Sequence, residues 1–340
     1  MAGMTDTAFR RLVKRQGGCG LVVTEMVSSE GLVRGIGRTL EYAEYTEEER
    51  PVSIQIFGGD PTKMAAAAQI VEAMGADIVD VNMGCPVQKI AKHKAGCSLM
   101  RGPSHAASLV RAMSKAVKIP VTVKMRSGWD DRSINAPLMA KMMEDAGAEA
   151  ISVHGRTAAQ SYSGTSDWQL IDDVTKGVSV PVFGSGDCVT AHQVIDRKTN
   201  TGVAGVLVGR GALRNPWIFK QAMALALGQV VPTINEVERG QFLLDYIDML
   251  LQEVNSESDG FRHMAPITDG IRLSSTPLHL RSRERWVVNK LRALSSWYTR
   301  GLHGGNRLRT AINKAESVEE LRDLINQFFL LAPLANIAQA

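Results

Sequence analysis

From residue 20 to about residue 213 the chain alternates short β-branched apolar runs with stretches whose apolar residues recur near the helical period. That alternation predicts βα repeats around a parallel sheet. The runs fall at 20–26, 52–57, 77–82, 121–125, 150–154, 182–185 and 205–209, and helices are expected at 61–74, 105–117, 135–146, 168–176 and 191–197. Most runs read as near-continuous apolar segments, as strands covered on both faces must. Asp60-Pro61 and Gly102-Pro103-Ser104 supply helix-start chemistry between them.

Seven runs are one short of a closed barrel. Residues 5–15 read as the helix after a first strand, of which Met1-Ala2-Gly3 could only be the last residues. The expected fold is an α/β, (β/α)8 TIM barrel whose first strand is missing or truncated. A start upstream of Met1 is preferred to a seam that exposes unpaired strand edges. Beyond Leu213 the strand pattern stops, and 242–254, 285–298, 307–313 and 318–329 read as helices. The expected organisation is a barrel over 1–230 and a helical domain over 235–335, interrupted by a flexible loop at 255–283 that is rich in Gly, Pro, Ser and His.

Composition changes this picture little. Hydrophobic residues at 44% and charged residues at 22% of 340 exclude a disordered chain and permit a large core. The absence of a signal-like start or a long apolar span points to a cytoplasmic protein with no membrane role. Cys19, Cys85, Cys97 and Cys188 lack the spacing of a disulfide framework or a zinc site, so no metal is expected. The net charge of +4 is weak evidence for a polyanionic partner. Its distribution says more: between 271 and 314, Arg272, Arg281, Arg283, Arg285, Lys290, Arg292, Arg300, Arg307, Arg309 and Lys314 face only Glu284.

Barrel enzymes place their chemistry at the C-terminal strand ends. Those ends carry Glu25, Gln55, Asn82 with Cys85, Lys124 with Arg126, His154 with Arg156, Ser185-Gly186-Asp187 and Gly209-Arg210. Glycine turns after the last two strands, with Arg210 beside them, favour an anion cradle over mere tight turns. Lys124, a lone cation in an apolar strand, needs a partner: a flavin ring, a phosphate, or a barrel carboxylate such as Glu25 or Asp80. His154 fits a satisfied core residue or a site residue. Cys85 lies where Gly84 and Pro86 shape a sharp loop, and with no hydrolytic Cys-His spacing nearby a proton-donor role suits it best. Cys19, Cys97 and Cys188 suit buried, inert thiols.

These residues resemble a family as an ordered set: Met1-Ala2-Gly3-Met4-Thr5-Asp6, Thr24-Glu25-Met26, Gln55-Ile56-Phe57-Gly58, Asn82-Met83-Gly84-Cys85-Pro86, Lys124-Met125-Arg126, His154-Gly155-Arg156-Thr157, Ser185-Gly186-Asp187 and Gly209-Arg210. The set is similar to that of the tRNA-dihydrouridine synthases, nearest their DusB-like branch. The resemblance implies a tightly bound FMN, reduced by NADPH, that passes hydride to C6 of a uracil while a cysteine, here Cys85, protonates C5. It further implies Gln55 and Lys124 at the flavin ring, Met1 and Ala2 beneath it, and Ser185, Gly186, Asp187, Gly209 and Arg210 at its phosphate. His154 and Asn82 would line the flavin and uracil site. The family usually has Asn where this chain has Ser185. A uridine must leave its stack to reach such a site, so the substrate contacts expected are Asn82 and Arg126 in the mouth, with Arg285 and Arg292 gripping tRNA phosphates. No obligatory protein partner is expected. Two rival readings are a flavin barrel acting on a free pyrimidine, like dihydroorotate dehydrogenases, and a noncatalytic tRNA-binding protein.

Overall fold

The computed structural model describes residues 3–251, 260–265 and 280–331. A curled sheet of eight strands forms its centre, and every pairing in it is parallel. In chain order the strands are β1 (Val22–Val23), β2 (Val27–Ser28), β3 (Tyr45–Thr46), β4 (Val52–Phe57), β5 (Ile78–Met83), β6 (Val121–Arg126), β7 (Ala150–His154), β8 (Val182–Ser185), β9 (Gly205–Leu207) and β10 (Arg262–His263). The sheet runs β1-β4-β5-β6-β7-β8-β9, with β2 also on β4. Helices at Pro61–Ala73, Pro103–Ala116, Ala136–Asp145, Trp168–Gly177 and Ala191–Asn200 connect successive strands, as βα repeats require. Their starts are chemically marked: Asp60 accepts from the backbone N–H of Thr62 and Lys63, and Asp167 from that of Leu170.

The strands are not apolar throughout. Val79, Val81, Val123, Met125, Ile151 and Val153 turn outward and are fully buried beneath the helices. The alternate positions, Gln55, Asp80, Thr122, Lys124 and Ser152, turn inward and line a cavity of about 470 Å³. Thr5, Phe9 and Val13 border it on one side and Phe219 on another. Among the described residues β1 and β9 do not pair with each other.

Of the expected strand 20–26 only β1 (Val22–Val23) forms, and β2 (Val27–Ser28) begins just beyond it. Thr24 is the reason: its hydroxyl takes the N–H of Gln55 and donates to the Glu25 carbonyl, so a side chain occupies ladder positions. The expected loop 255–283 also differs where it is described. β10 pairs antiparallel with β3, the His263 ring stacks on Tyr45 at 4.5 Å, and the next helix begins at Leu280. Residues 255–259 and 266–279 of that expectation lie outside the described residues, as do Met1 and Ala2.

Helices Glu236–Leu251, Leu280–Tyr298, Gly305–Lys314 and Val318–Ile325 share a second core with Phe9, Leu12 and Val13 of the first helix, Thr7–Gln16. Two tail residues fix that helix's start: Tyr246 donates to Asp6, and Lys290 reaches both Asp6 and the Gly3 carbonyl.

Candidate active site

Strand register sorts the inward side chains into rungs. Gln55, Asp80 and Thr122 are partners across β4, β5 and β6. Asn82, Lys124 and Ser152 stand one rung higher, and Arg126, His154 and Ser185 form the rung at the C-terminal ends. Four separate sequence motifs thus meet at one end of the sheet.

A continuous hydrogen-bonded chain rises through these rungs. Thr122 donates to Asp80 Oδ1 at 2.6 Å, Gln55 Nε2 to Asp80 Oδ2 at 2.7 Å, and Asn82 Nδ2 to Gln55 Oε1 at 2.7 Å. Asn82 Oδ1 then accepts the backbone N–H of Gly84 at 3.1 Å and of Cys85 at 2.9 Å. Arg126 holds the same loop from the other side, its Nε donating to the Gly84 carbonyl at 2.8 Å. The half-buried thiol therefore owes its place to Asn82 and Arg126, and Gly84 does not use a left-handed conformation. Gly96 does, with φ +60°, and a Cβ there would stand 2.8 Å from the Cys85 carbonyl and 3.3 Å from its Cβ. Cys97 and Cys188 are buried, and burial pushes both thiols up, Cys188 to about 11. Cys85 lies on the loop beyond β5 and does not line the interior cavity.

Lys124 reaches into the cavity, and among the described residues no hydrogen-bond or ion-pair partner meets its ammonium. Burial pulls it down to about 8 against the opposing pull of Asp80. Of the two carboxylates weighed for it, Asp80 is the one it feels, while Glu25 accepts from the Thr5 N–H. His154 is lowered to about 3 by burial and by the nearby charges of Lys124, Arg126 and Arg156, so its imidazole is neutral at neutral pH.

At the ends of β8 and β9, Gly186 has φ +128°, and a Cβ there would meet Ser166 Oγ at 2.2 Å, so only glycine fits. The Asp187 carboxylate accepts from Arg156 and from the Ser166 N–H, each at 2.8 Å, with Arg210 at 3.4 Å. Burial alone would raise it, but those donors hold it below the usual carboxylate range. Among the described residues, the backbone N–H groups of Gly186, Asp187, Gly209 and Arg210 donate to no protein acceptor. Two neighbouring loops therefore offer unused donors beside a guanidinium, which suits an anion such as a phosphate.

The remaining expected residues divide. Arg126 donates to the carbonyls of Thr157 and Ser161 as well as that of Gly84, which makes it a brace between two mouth loops. Arg285 is exposed on the helix Leu280–Tyr298, whereas Arg292 is tied to the Ala315 carbonyl at 2.6 Å. Two further residues, Arg156 at its expected strand end and Tyr162, which the sequence does not single out, join the mouth. Arg156 braces the 163–164 carbonyls and Asp187, and the exposed Tyr162 ring lies 5.0 Å from the Arg210 guanidinium and 6.0 Å from that of Arg126. Position at a strand end signalled Arg156; nothing in the local sequence signals Tyr162.

A family model described as dihydrouridine synthase matches residues 1–276. The chain belongs to the dihydrouridine synthase family. A probable tRNA-dihydrouridine synthase of Rickettsia bellii is 34% identical over 97% of this chain and 93% of its own length. The tRNA-dihydrouridine synthase B of Pseudomonas aeruginosa is 34% identical over 97% of this chain and 91% of its own length. A probable tRNA-dihydrouridine synthase of Rhizobium leguminosarum reaches 44% identity over 64% of this chain and 68% of its own. Dihydrouridine synthases are flavin-dependent oxidoreductases, and the donor set fits such a group: a half-buried cation with no partner among the described residues faces the cavity, and unused N–H donors stand at the strand ends. No helix among the described residues is long and apolar enough to cross a membrane, and no cluster suited to a metal occurs among them.

Proposed function

We propose that this protein is a cytoplasmic tRNA-dihydrouridine synthase that carries FMN at the C-terminal mouth of the barrel and draws its electrons from NADPH. Reduced FMN, when bound, supplies the hydride that adds to C6 of uracil. The chain's own residues do the rest. Cys85 delivers its thiol proton to C5, which completes saturation of the C5–C6 bond. Asn82 and Arg126 hold the loop that carries the thiol. Lys124 and Gln55 face the ring; His154, neutral, borders it without adding charge. Gly186, Asp187, Gly209 and Arg210 receive the phosphate with Ser185, Asp187 acting through the arginines it gathers. Met1 and Ala2 keep their proposed place beneath the ring. A uridine flipped from its stack enters this mouth while Arg285 and its basic neighbours on the tail attract tRNA phosphates; Arg292 contributes by fixing the tail's shape.

The observation that carries this reading is the alignment of Asn82, Lys124, Arg126, His154 and Ser185 on successive rungs at one end of the sheet, in a chain of this family. The test is to purify the protein, identify the released flavin by mass, and measure dihydrouridine in unmodified tRNA incubated with NADPH. Bound FMN and new dihydrouridine are expected. A colourless protein would remove every flavin reading, and flavin without tRNA product would favour a free pyrimidine.

A further inference from the structure

Deep below the thiol loop, Asp80 touches neither the loop nor the mouth, yet it decides which way two amides point. An amide side chain presents a donor at one end and an acceptor at the other, so its direction in a buried chain is set by its neighbours. Asp80 is 5% exposed and its Oδ2 can only accept from Gln55. That turns Gln55 Nε2 downward and Oε1 upward, where it accepts from Asn82 Nδ2. Asn82 is left with Oδ1 facing the N–H groups of Gly84 and Cys85. Reversal of Gln55 would set its oxygen against Asp80 and its amine against the Asn82 amine, and reversal of Asn82 would set donor against donor at the thiol loop; a buried clash of either kind is expensive.

We propose that Asp80 is a positioning residue for Cys85, acting through Gln55 and Asn82 to fix the loop that carries the thiol. The proposal rests on the dihydrouridine synthase reading only for Cys85's catalytic part. Burial pushes the Asp80 carboxyl up. Its polarity survives protonation, because the Thr122 hydroxyl beside Oδ1 can accept as readily as donate. The same flexibility makes Asp80→Asn the conservative variant: its amide donates to Thr122 while its oxygen still accepts from Gln55. Asp80→Leu keeps the bulk and removes the acceptor.

The test uses the flavin-loaded protein and two readouts. Alkylation of Cys85 by iodoacetamide is followed across pH by mass spectrometry, and turnover is measured with tRNA. Asp80→Leu is expected to shift the Cys85 alkylation profile and to lower kcat about 10- to 100-fold while KM for tRNA stays within twofold, the scale of a small misplacement of a reacting group. Asp80→Asn should restore most of both. In an Asn82→Ala background Asp80→Leu should cost nothing further in kcat, since the path is already cut. An unchanged alkylation profile in Asp80→Leu overturns the proposal, and so does an additive loss in the double variant. Should Asp80→Leu fail to hold flavin, its alkylation profile is compared with that of flavin-stripped wild type, and it must still differ. A wild-type protein that forms no dihydrouridine would refute the functional reading and leave the alkylation result standing on its own.

Discussion

Along β6, Val123 and Met125 turn outward and are sealed beneath the helices, whereas Thr122 and Lys124 turn inward toward the cavity. The neighbouring strands repeat the division, with Val79, Val81, Ile151 and Val153 outside and Asp80 and Ser152 inside. Outward burial is non-directional and contributes roughly 25 cal/mol per Å² of apolar surface. Inward polar groups gain nothing of that kind and cost free energy unless bonded. Asp80, Gln55, Asn82 and Thr122 meet the cost by bonding to one another, while Lys124 does not. The outer face therefore supplies most of the apolar burial, and Lys124, without a partner among the described residues, is consistent with the proposed ligand site.

The widest separation of the two faces should come from Cys85→Ala, at the top of the inner path. Loss of a proton donor should lower dihydrouridine formation about 10²–10⁴-fold. Flavin absorbance and melting temperature should remain near wild type, because the thiol supports neither core. Turnover at the wild-type rate would refute the proton-donor role.

On the outer face the expectation reverses. Met125→Ala, one residue from Lys124 but fully buried on the helix side, should destabilise the protein by about 2–5 kcal/mol. Turnover per folded, flavin-bound molecule should hold. Denaturant unfolding combined with activity normalised to flavin content separates the two quantities, and a large loss of normalised turnover would mean the faces are not independent.

Strand existence was legible because outward positions carry β-branched residues at nearly every step; β4 was read at its true bounds, 52–57. The inner polarity was harder to see, since Val-Ser-Ile-Gln-Ile-Phe passes for an apolar run until Ser53 and Gln55 are known to share a side. The helix read as 242–254 begins at Glu236, although its start was written in the chain: Asn235 and Glu238 exchange side-chain and backbone bonds as a capping box. Site residues at strand ends were legible because barrel topology alone gathers them. The carbonyls held by Arg126 and Arg156, and the place of Tyr162, depend on how two mouth loops meet, and no local pattern encodes that.

Lys124→Met should set stability against cofactor binding on the inner face. Removal of a half-buried ammonium with no partner among the described residues should raise the flavin-free protein's stability by about 0.5–2 kcal/mol at pH 7 and weaken flavin retention. The sign with pH follows from the lowered value. Unfolded lysine keeps its proton to 10.5 and the folded one to about 8, so the unfolded state binds more protons between them and stability rises with pH in that window. The variant should lose that slope. His154, lowered from 6.5 to about 3, gives a second rise between those values in both proteins. A slope above pH 8 that persists in Lys124→Met would assign it to another group.

The smallest effect expected also limits the comparison, since not every inward polar group should matter. Ser53 borders the cavity, yet its hydroxyl is buried without a partner among the described residues. Ser53→Ala removes an oxygen that has lost its water and gained no bond, so stability should change by no more than about 1 kcal/mol, toward greater stability. Turnover should be unaltered, because Ser53 has no part in the path from Asp80 to Cys85. Melting temperature and dihydrouridine yield check both halves. A clear destabilisation would mean that the hydroxyl is bonded through cavity water, and the inner face would then be a more continuous network than its direct hydrogen bonds reveal.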